Sequence, residues 1–149
     1  MQRTARALCA LAILNIGLAG GARAMMAPEY YRKARAEAPY HVQVAITKVD
    51  APRRGPGTCD VTGKVEQVFK DATGKLPKGA EVGFPVACRR KGDEVPLGGT
   101  VWLDTDALEQ AEFIEVYLID GADGGFDVPL SNYRIIAAPS PAPQFPVDP

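Results

Sequence analysis

The first alternation of apolar and polar positions predicts a β-strand over residues 42–47. Val42, Val44 and Ile46 alternate with polar or small residues, which are His41, Gln43, Ala45 and Thr47. A period of two places the aliphatic side chains on one face of a strand and the other side chains on the opposite face. We therefore expect one buried face and one solvated face in this strand.

Two longer apolar runs, residues 59–70 and 80–88, flank a turn-rich segment and predict a hairpin. We expect Cys59 to lie opposite Cys88 and to form a disulfide with it. In this register three further pairs share the face of the cysteines: Val61 with Val86, Gly63 with Phe84, and Val65 with Val82. An aromatic ring that covers a strand glycine is a stabilising pair.

Pro85 conflicts with that register, because it would lie opposite Thr62 at a position that donates a ladder hydrogen bond. A bulge near Gly63 or Pro85 would relieve the conflict.

The rest of the chain predicts shorter elements. Pro28 opens a helical segment that Pro39 ends. Residues 99–104 predict a fourth strand, and the Asp106-Ala-Leu-Glu109 pattern predicts one helical turn. Residues 113–119 fit either a strand or the continuation of that helix. Aromatic and β-branched content favours the strand, as does a glycine-rich hairpin turn at 121–125, and residues 132–137 predict the last strand.

The first 24 residues have the pattern of a signal peptide. Arg3 and Arg6 precede an uncharged stretch over residues 7–21, which ends at an Ala22-Arg23-Ala24 cleavage motif. The stretch is too short to span a bilayer as an anchor helix, which needs ~20 apolar residues. We expect cleavage after Ala24, no transmembrane segment afterwards, and a periplasmic or secreted protein. The short alanine-rich leader resembles bacterial ones.

The predicted organisation has four parts: a signal peptide (1–24), a helical segment (25–39), a small β-barrel domain (40–138) and a Pro-rich tail (139–149). Cleavage removes three arginines and no acid, so the formal charge changes from −1 to −4. It also removes Cys9, and the two cysteines that remain predict one disulfide in an exported protein. The absence of a basic surplus argues against general nucleic-acid binding, and a single histidine argues against a multi-histidine zinc site.

Five cations form the strongest candidate binding site. Arg53 and Arg54 precede Cys59, whereas Arg89, Arg90 and Lys91 follow Cys88. The disulfide would bring both loops to one end of the domain, where the cations could bind an anionic partner. The alternative is a solvated loop end without a binding role, whose charge is neutralised by Asp50, Asp60, Asp93 and Glu94.

No catalytic motif stands out, and we expect no enzyme activity, cofactor or metal. A hydrolytic triad would need His41 with Ser131 or Ser140, without any nucleophile elbow, so a solvated or hydrogen-bonded histidine is favoured. The spacing of Asp120, Asp123 and Asp127 does not match a calcium loop and favours a hairpin turn.

The tail contains a formal P-x-x-P ligand motif at residues 143–146, although its composition favours a disordered end.

Several of these residues resemble the OB-type module of tissue inhibitors of metalloproteinases and netrin-like domains. The similar segments are Gly63-Lys-Val65 with Val68-Phe69-Lys70, the Gly79–Cys88 strand, and Leu97-Gly98-Gly99-Thr-Val-Trp102. The resemblance, over residues 42–104, implies an all-β fold with a five- to six-stranded OB-like barrel. Those inhibitors chelate zinc through an N-terminal cysteine; the expected N-terminus here is Met25, so that site is not implied.

We therefore expect an exported, non-catalytic binding module that recognises an envelope or extracellular protein or an anionic glycan. A loop-based inhibitor of an extracellular protease and a small hydrolase are the alternatives.

Overall fold

The computed structural model describes residues 26–148, so the predicted signal peptide and Cys9 lie outside the described residues. The elements in chain order are α1 (Pro28–Glu37), β1 (Tyr40–Asp50), β2 (Gly57–Asp71), β3 (Glu81–Arg89), β4 (Leu103–Asp104), α2 (Thr105–Gln110), β5 (Phe113–Asp120), β6 (Phe126–Asp127), a 3-10 turn (Pro129–Ser131) and β7 (Tyr133–Ile136). Strands hold 41% of these residues and helices 15%, which confirms the predicted β class. No helix in this part of the chain is long and apolar enough to cross a membrane.

The strands form one curled, half-barrel sheet in the order β4-β3-β2-β1-β5-β6, with β7 also paired to β5. Seven strands replace the predicted five or six, because two of them are only two residues long. β1 lies between β2 and β5 and is antiparallel to both. One face of the sheet forms the apolar core, where Val42, Val44 and Val116 are fully buried.

The β2–β3 hairpin is confirmed, with its disulfide between Cys59 and Cys88. The predicted register is wrong by two residues, since Cys59 lies opposite Val86 and Cys88 lies opposite Gly57. The disulfide therefore joins diagonal positions, whose Cα atoms are 5.8 Å apart. Because the side-chain period of a strand is two, this shift keeps every predicted core residue on its predicted face.

The bulge forms on the other side of β2 from the one expected. The β2–β3 ladder is continuous, and Pro85 lies opposite Asp60 on a stretch of β3 that β4 leaves unpaired. A proline is tolerated on such an edge. The β1–β2 ladder has three register shifts, and the one at Ile46 to Lys48 lies next to Gly63.

Gly63 is required by the approach of β1, rather than by Phe84, which lies opposite Val61. A Cβ atom at Gly63 would lie 2.3 Å from the carbonyl oxygen of Ala45 and 2.5 Å from a methyl carbon of Val44. Backbone cannot yield as a flexible side chain does, so only glycine fits here.

Gly63→Ala is expected to lower the free energy of unfolding by about 2–3 kcal/mol, because the added methyl forces β1 and β2 apart. Gly83→Ala is the matched control. Gly83 is also a strand glycine, but its added Cβ would lie 3.8 Å from the nearest atom. Urea unfolding of both variants measures the difference, and equal losses would contradict this account of Gly63.

Two further predictions are corrected around α2, and one is confirmed. The predicted strand 99–104 contracts to Leu103–Asp104. The N-cap of α2 is Asp104, not Asp106, since its carboxylate accepts a hydrogen bond from the Ala107 amide at 2.9 Å. The segment 113–119 is a strand, as favoured, and not a continuation of the helix.

Candidate functional site

The structure brings together the two loops that carry the predicted cations. The loop after β1 contains Arg53 and Arg54. Arg89 ends β3, and the loop after it contains Arg90 and Lys91. The Arg90 side chain joins the loops, because its Nη1 atom donates to the Pro52 carbonyl oxygen at 2.8 Å. We call these five residues the basic loop end.

Four members of the basic loop end remain available to a partner. Arg53, Arg54, Arg89 and Lys91 are exposed. Within residues 26–148 none of the four forms an ion pair with an acidic side chain.

Two of the four acids considered for neutralisation have partners other than the four exposed cations. Asp50 pairs with Lys48 at 2.6 Å, and Asp93 accepts a hydrogen bond from the Arg90 amide at 2.7 Å. The four exposed cations are therefore not held in ion pairs, although the chain as a whole is slightly acidic.

The candidate calcium loop is a hairpin turn, as expected, and β6 pairs with the end of β5. The Asp120 carboxylate is 2.6 Å from the Lys75 ammonium group and accepts a hydrogen bond from the Tyr40 hydroxyl. The hydrogen bond from Lys75 lowers the pKa of Asp120. Among residues 26–148, no three His, Cys, Asp or Glu side chains are grouped to hold a metal ion.

His41 is buried on the face of β1 that was expected to be solvated. Its Nε2 atom lies 2.8 Å from Oε1 of Glu115, and its ring stacks on Tyr117 with the centroids 3.8 Å apart. Neither candidate serine is hydrogen-bonded to His41 in the described part of the chain. The Ser140 hydroxyl donates to the Ala142 carbonyl oxygen at 2.6 Å, and Ser131 lies in the 3-10 turn.

The tail covers this face of the sheet, so the interpretation of residues 139–148 as a disordered end is wrong. We call the surface under the tail the tail groove. Five of its residues bind the tail directly: Arg35, Gln43, Glu115, Tyr117 and Arg134. His41 completes the groove by binding Glu115, and at its edge Arg32 forms an exposed ion pair with Asp148. Cross-strand pairing aligns three of the five in one row, because Gln43 lies opposite Glu115, which lies opposite Arg134. The sheet therefore has an apolar core on one face and a polar, tail-covered surface on the other.

Glu115 is the centre of the tail groove. Its side chain is fully buried, yet its two oxygens accept four hydrogen bonds. Two come from the body, from His41 at 2.8 Å and from the Gln43 amide at 2.7 Å. The other two come from the consecutive backbone amides of Gln144 and Phe145, both at 2.9 Å. A buried carboxylate is tolerated when its acceptor positions are filled in this way.

Phe145 anchors the tail between two cations. Its ring lies 4.8 Å from the guanidinium carbon of Arg35 and 4.7 Å from that of Arg134, within the range of cation–π attraction. The ring of Tyr117 meets it at an angle of 78°. The Tyr117 hydroxyl also donates to the Phe145 carbonyl oxygen at 2.7 Å. Both the side chain and the backbone of Phe145 are therefore bound.

The tail contacts change the titration of the groove. Burial alone would raise the pKa of Glu115, but hydrogen bonds from His41, Gln43 and the two tail amides outweigh it, and the pKa is lowered. Burial raises the pKa of Tyr117 to about 12, so its hydroxyl stays a donor at physiological pH.

Acid is therefore expected to weaken the docking of the tail. A carboxyl group with a lowered pKa stabilises the folded state above its unfolded pKa of about 4.3 and loses that contribution as the pH falls through the folded-state pKa. We expect a constant contribution from pH 7 to about 5 and a loss below about 4. Urea unfolding between pH 3 and 7 measures this, with Glu115→Gln as the control that lacks the titrating group. Identical pH profiles of the two proteins would contradict the assignment.

One signal for the groove is present in the sequence. Glu115 interrupts the otherwise apolar run 113–119, on the face opposite Ile114 and Val116. A lone carboxylate inside a strand of this kind needs buried donors, and those donors can come from a distant segment.

Comparison of the chain with models of protein families and with curated proteins gives no match.

Proposed function

We propose that this protein is an exported, non-catalytic binding module that recognises an anionic partner through the basic loop end. One observation carries the proposal: four exposed cations lie at one end of the domain, and none has an ion-pair partner within residues 26–148. Ion pairs with acidic side chains would have cancelled the local positive charge, whereas cations without such partners attract and bind an anionic surface.

The strand connectivity favours an anionic glycan over an acidic protein surface as the partner. β1 pairs with both β2 and β5, and the sheet is curled but open, which supports an OB-type arrangement. OB folds bind oligosaccharides and oligonucleotides with the face of their second and third strands and with two loops, one of which joins the first two strands. Here that loop carries Arg53 and Arg54.

Export is supported by two independent features. The first is the signal-peptide pattern of residues 1–24. The second is the buried disulfide between Cys59 and Cys88, since such bonds persist in oxidising compartments. These features support the proposal that the mature protein acts in the periplasm or the medium.

Charge reversal at the basic loop end is expected to abolish salt-sensitive glycan binding. The variant carries Glu at Arg53, Arg54, Arg89 and Lys91, and it keeps Arg90 because that side chain joins the two loops. Binding is measured by retention on a heparin column in a salt gradient. The apparent affinity for heparin should fall at least about tenfold, which corresponds to about 1.4 kcal/mol. Adding an acidic peptide as a competitor tests the protein-surface alternative.

The matched control reverses four exposed lysines elsewhere: Lys33, Lys64, Lys70 and Lys78. It changes the net charge by the same amount. A loss of heparin binding that is confined to the first variant therefore assigns the binding to the basic loop end. Equal losses in both variants would show a non-specific charge effect. Undiminished binding in the first variant would place the site elsewhere.

A further inference from the structure

We propose that the tail groove is a peptide-binding site for an extended segment in which an aromatic residue precedes proline, and that the chain's own tail occupies it in cis. This site lies on the β1–β5–β7 face and does not depend on the basic loop end.

The groove holds the tail mainly through backbone atoms. Body side chains donate to the carbonyl oxygens of Gln144, Phe145 and Val147 and accept from the amides of Ser140, Gln144 and Phe145. Backbone recognition of this kind does not depend on the identity of most side chains. It therefore suits any extended segment that presents the same donors and acceptors.

Proline spacing selects the segment. Prolines at positions 139, 141, 143 and 146 have no amide hydrogen, so Gln144 and Phe145 provide two consecutive amides just before Pro146. Those two amides bind the two oxygens of Glu115. Prolines also keep the segment extended before it binds, which lowers the entropy lost on binding.

The aromatic side chain supplies the specificity. Phe145 is the single aromatic residue of the tail, and it lies between the guanidinium groups of Arg35 and Arg134. An aliphatic residue at this position has no π-face to offer either cation. The groove is therefore expected to bind a peptide with an aromatic residue at this position much more tightly than one with an aliphatic residue there.

The groove is suited to exchange of its occupant, because it is polar. Undocking the tail would free a carboxylate, an amide, a phenol and two guanidinium groups from their contacts with it, and water can solvate all of them. No ladder of sheet hydrogen bonds joins residues 139–148 to the body, since β7 ends at Ile136. A competing peptide has to overcome only the effective concentration of a tethered segment, about millimolar.

The test uses the whole chain with Phe145→Ala, which removes the cis anchor and leaves every groove residue in place. The probe is a fluorescent peptide of residues 138–149, and its matched control has alanine in place of the phenylalanine. By fluorescence anisotropy, the Phe145→Ala chain is expected to bind the probe at least tenfold more tightly than the unsubstituted chain does. The control peptide is expected not to bind.

Adding Arg134→Ala to the Phe145→Ala chain tests the groove itself, because Arg134 is exposed and its loss spares the core. We expect this second substitution to weaken probe binding severalfold, with circular dichroism and the disulfide unchanged. Charge reversal at the basic loop end is expected to leave probe binding intact.

Three results would overturn the proposal. The first is a folded Phe145→Ala chain that does not bind the probe, and the second is equal binding of the probe and the control peptide. The third is a dimer of the unsubstituted chain in sedimentation analysis with no probe binding, which would assign the groove to exchange of tails between copies.

Discussion

Replacement of Glu115 with alanine is expected to undock the tail and to lower the free energy of unfolding by about 3–5 kcal/mol. The substitution removes a fully buried side chain that accepts four hydrogen bonds. Two of the four hydrogen-bond donors, on His41 and Gln43, belong to the body and lose their buried acceptor. Urea unfolding followed by circular dichroism measures the change.

Glu115→Gln is the matched control, because it keeps the size of the side chain and one oxygen. That oxygen can still accept two hydrogen bonds, whereas the new amide group faces two donors. We expect a smaller loss, about 1–2 kcal/mol. If both variants stay within about 0.5 kcal/mol of the unsubstituted protein, the range typical of neutral surface changes, Glu115 does not hold the tail.

Removal of the disulfide is the second change with a large expected effect. Cys59 and Cys88 are separated by 29 residues, and in the chain-entropy model the closure of such a loop stabilises the folded state by about 3–4 kcal/mol. The double variant Cys59→Ala, Cys88→Ala is expected to lose that amount. Alanine is preferred to serine because both positions are fully buried and apolar.

Reduction of the unsubstituted protein provides an independent route to the same state. Its urea midpoint in reductant should approach that of the double variant, while reductant should leave the variant itself unchanged. A loss below about 1 kcal/mol would mean that the unfolded chain gains little freedom when the bond is removed.

The apolar framework could be predicted because strand periodicity encodes it directly. Val42, Val44, Val61, Val82 and Phe84 all lie in the core on the faces that alternation assigned to them. The hairpin register could not be obtained in the same way. A shift by two residues preserves all the faces, so period-two reasoning does not distinguish the true register from its neighbours.

The basic loop end could be located from the sequence because the predicted disulfide brings the loops next to its two cysteines to the same end of the domain. The Arg90 contact with Pro52 agrees with that placement. Strand pairing and two cysteine positions were sufficient for it, whereas neither the ligand nor its binding follows from those positions.

The tail groove could not be predicted, because its partners are far apart in sequence and polar. Gln43 and Ser140 are 97 residues apart, and a Pro-rich segment has the same composition whether it is free or docked. The alternation in β1 also suggested a solvated face for His41 and Gln43. That inference fails when a later segment supplies the hydrogen bonds that water would otherwise make.

Hydrogen exchange of the backbone amides in the unsubstituted protein tests the docked tail most directly. The amides of Gln144 and Phe145 donate to a buried carboxylate, so they should exchange far more slowly than amides of an unstructured chain. The Ala142 amide, in the same Pro-rich segment, serves as the internal reference. Slow exchange at Gln144 and Phe145, lost in Glu115→Ala, is the predicted result. Exchange of both amides at the rate of an unstructured peptide in the unsubstituted protein would contradict the account.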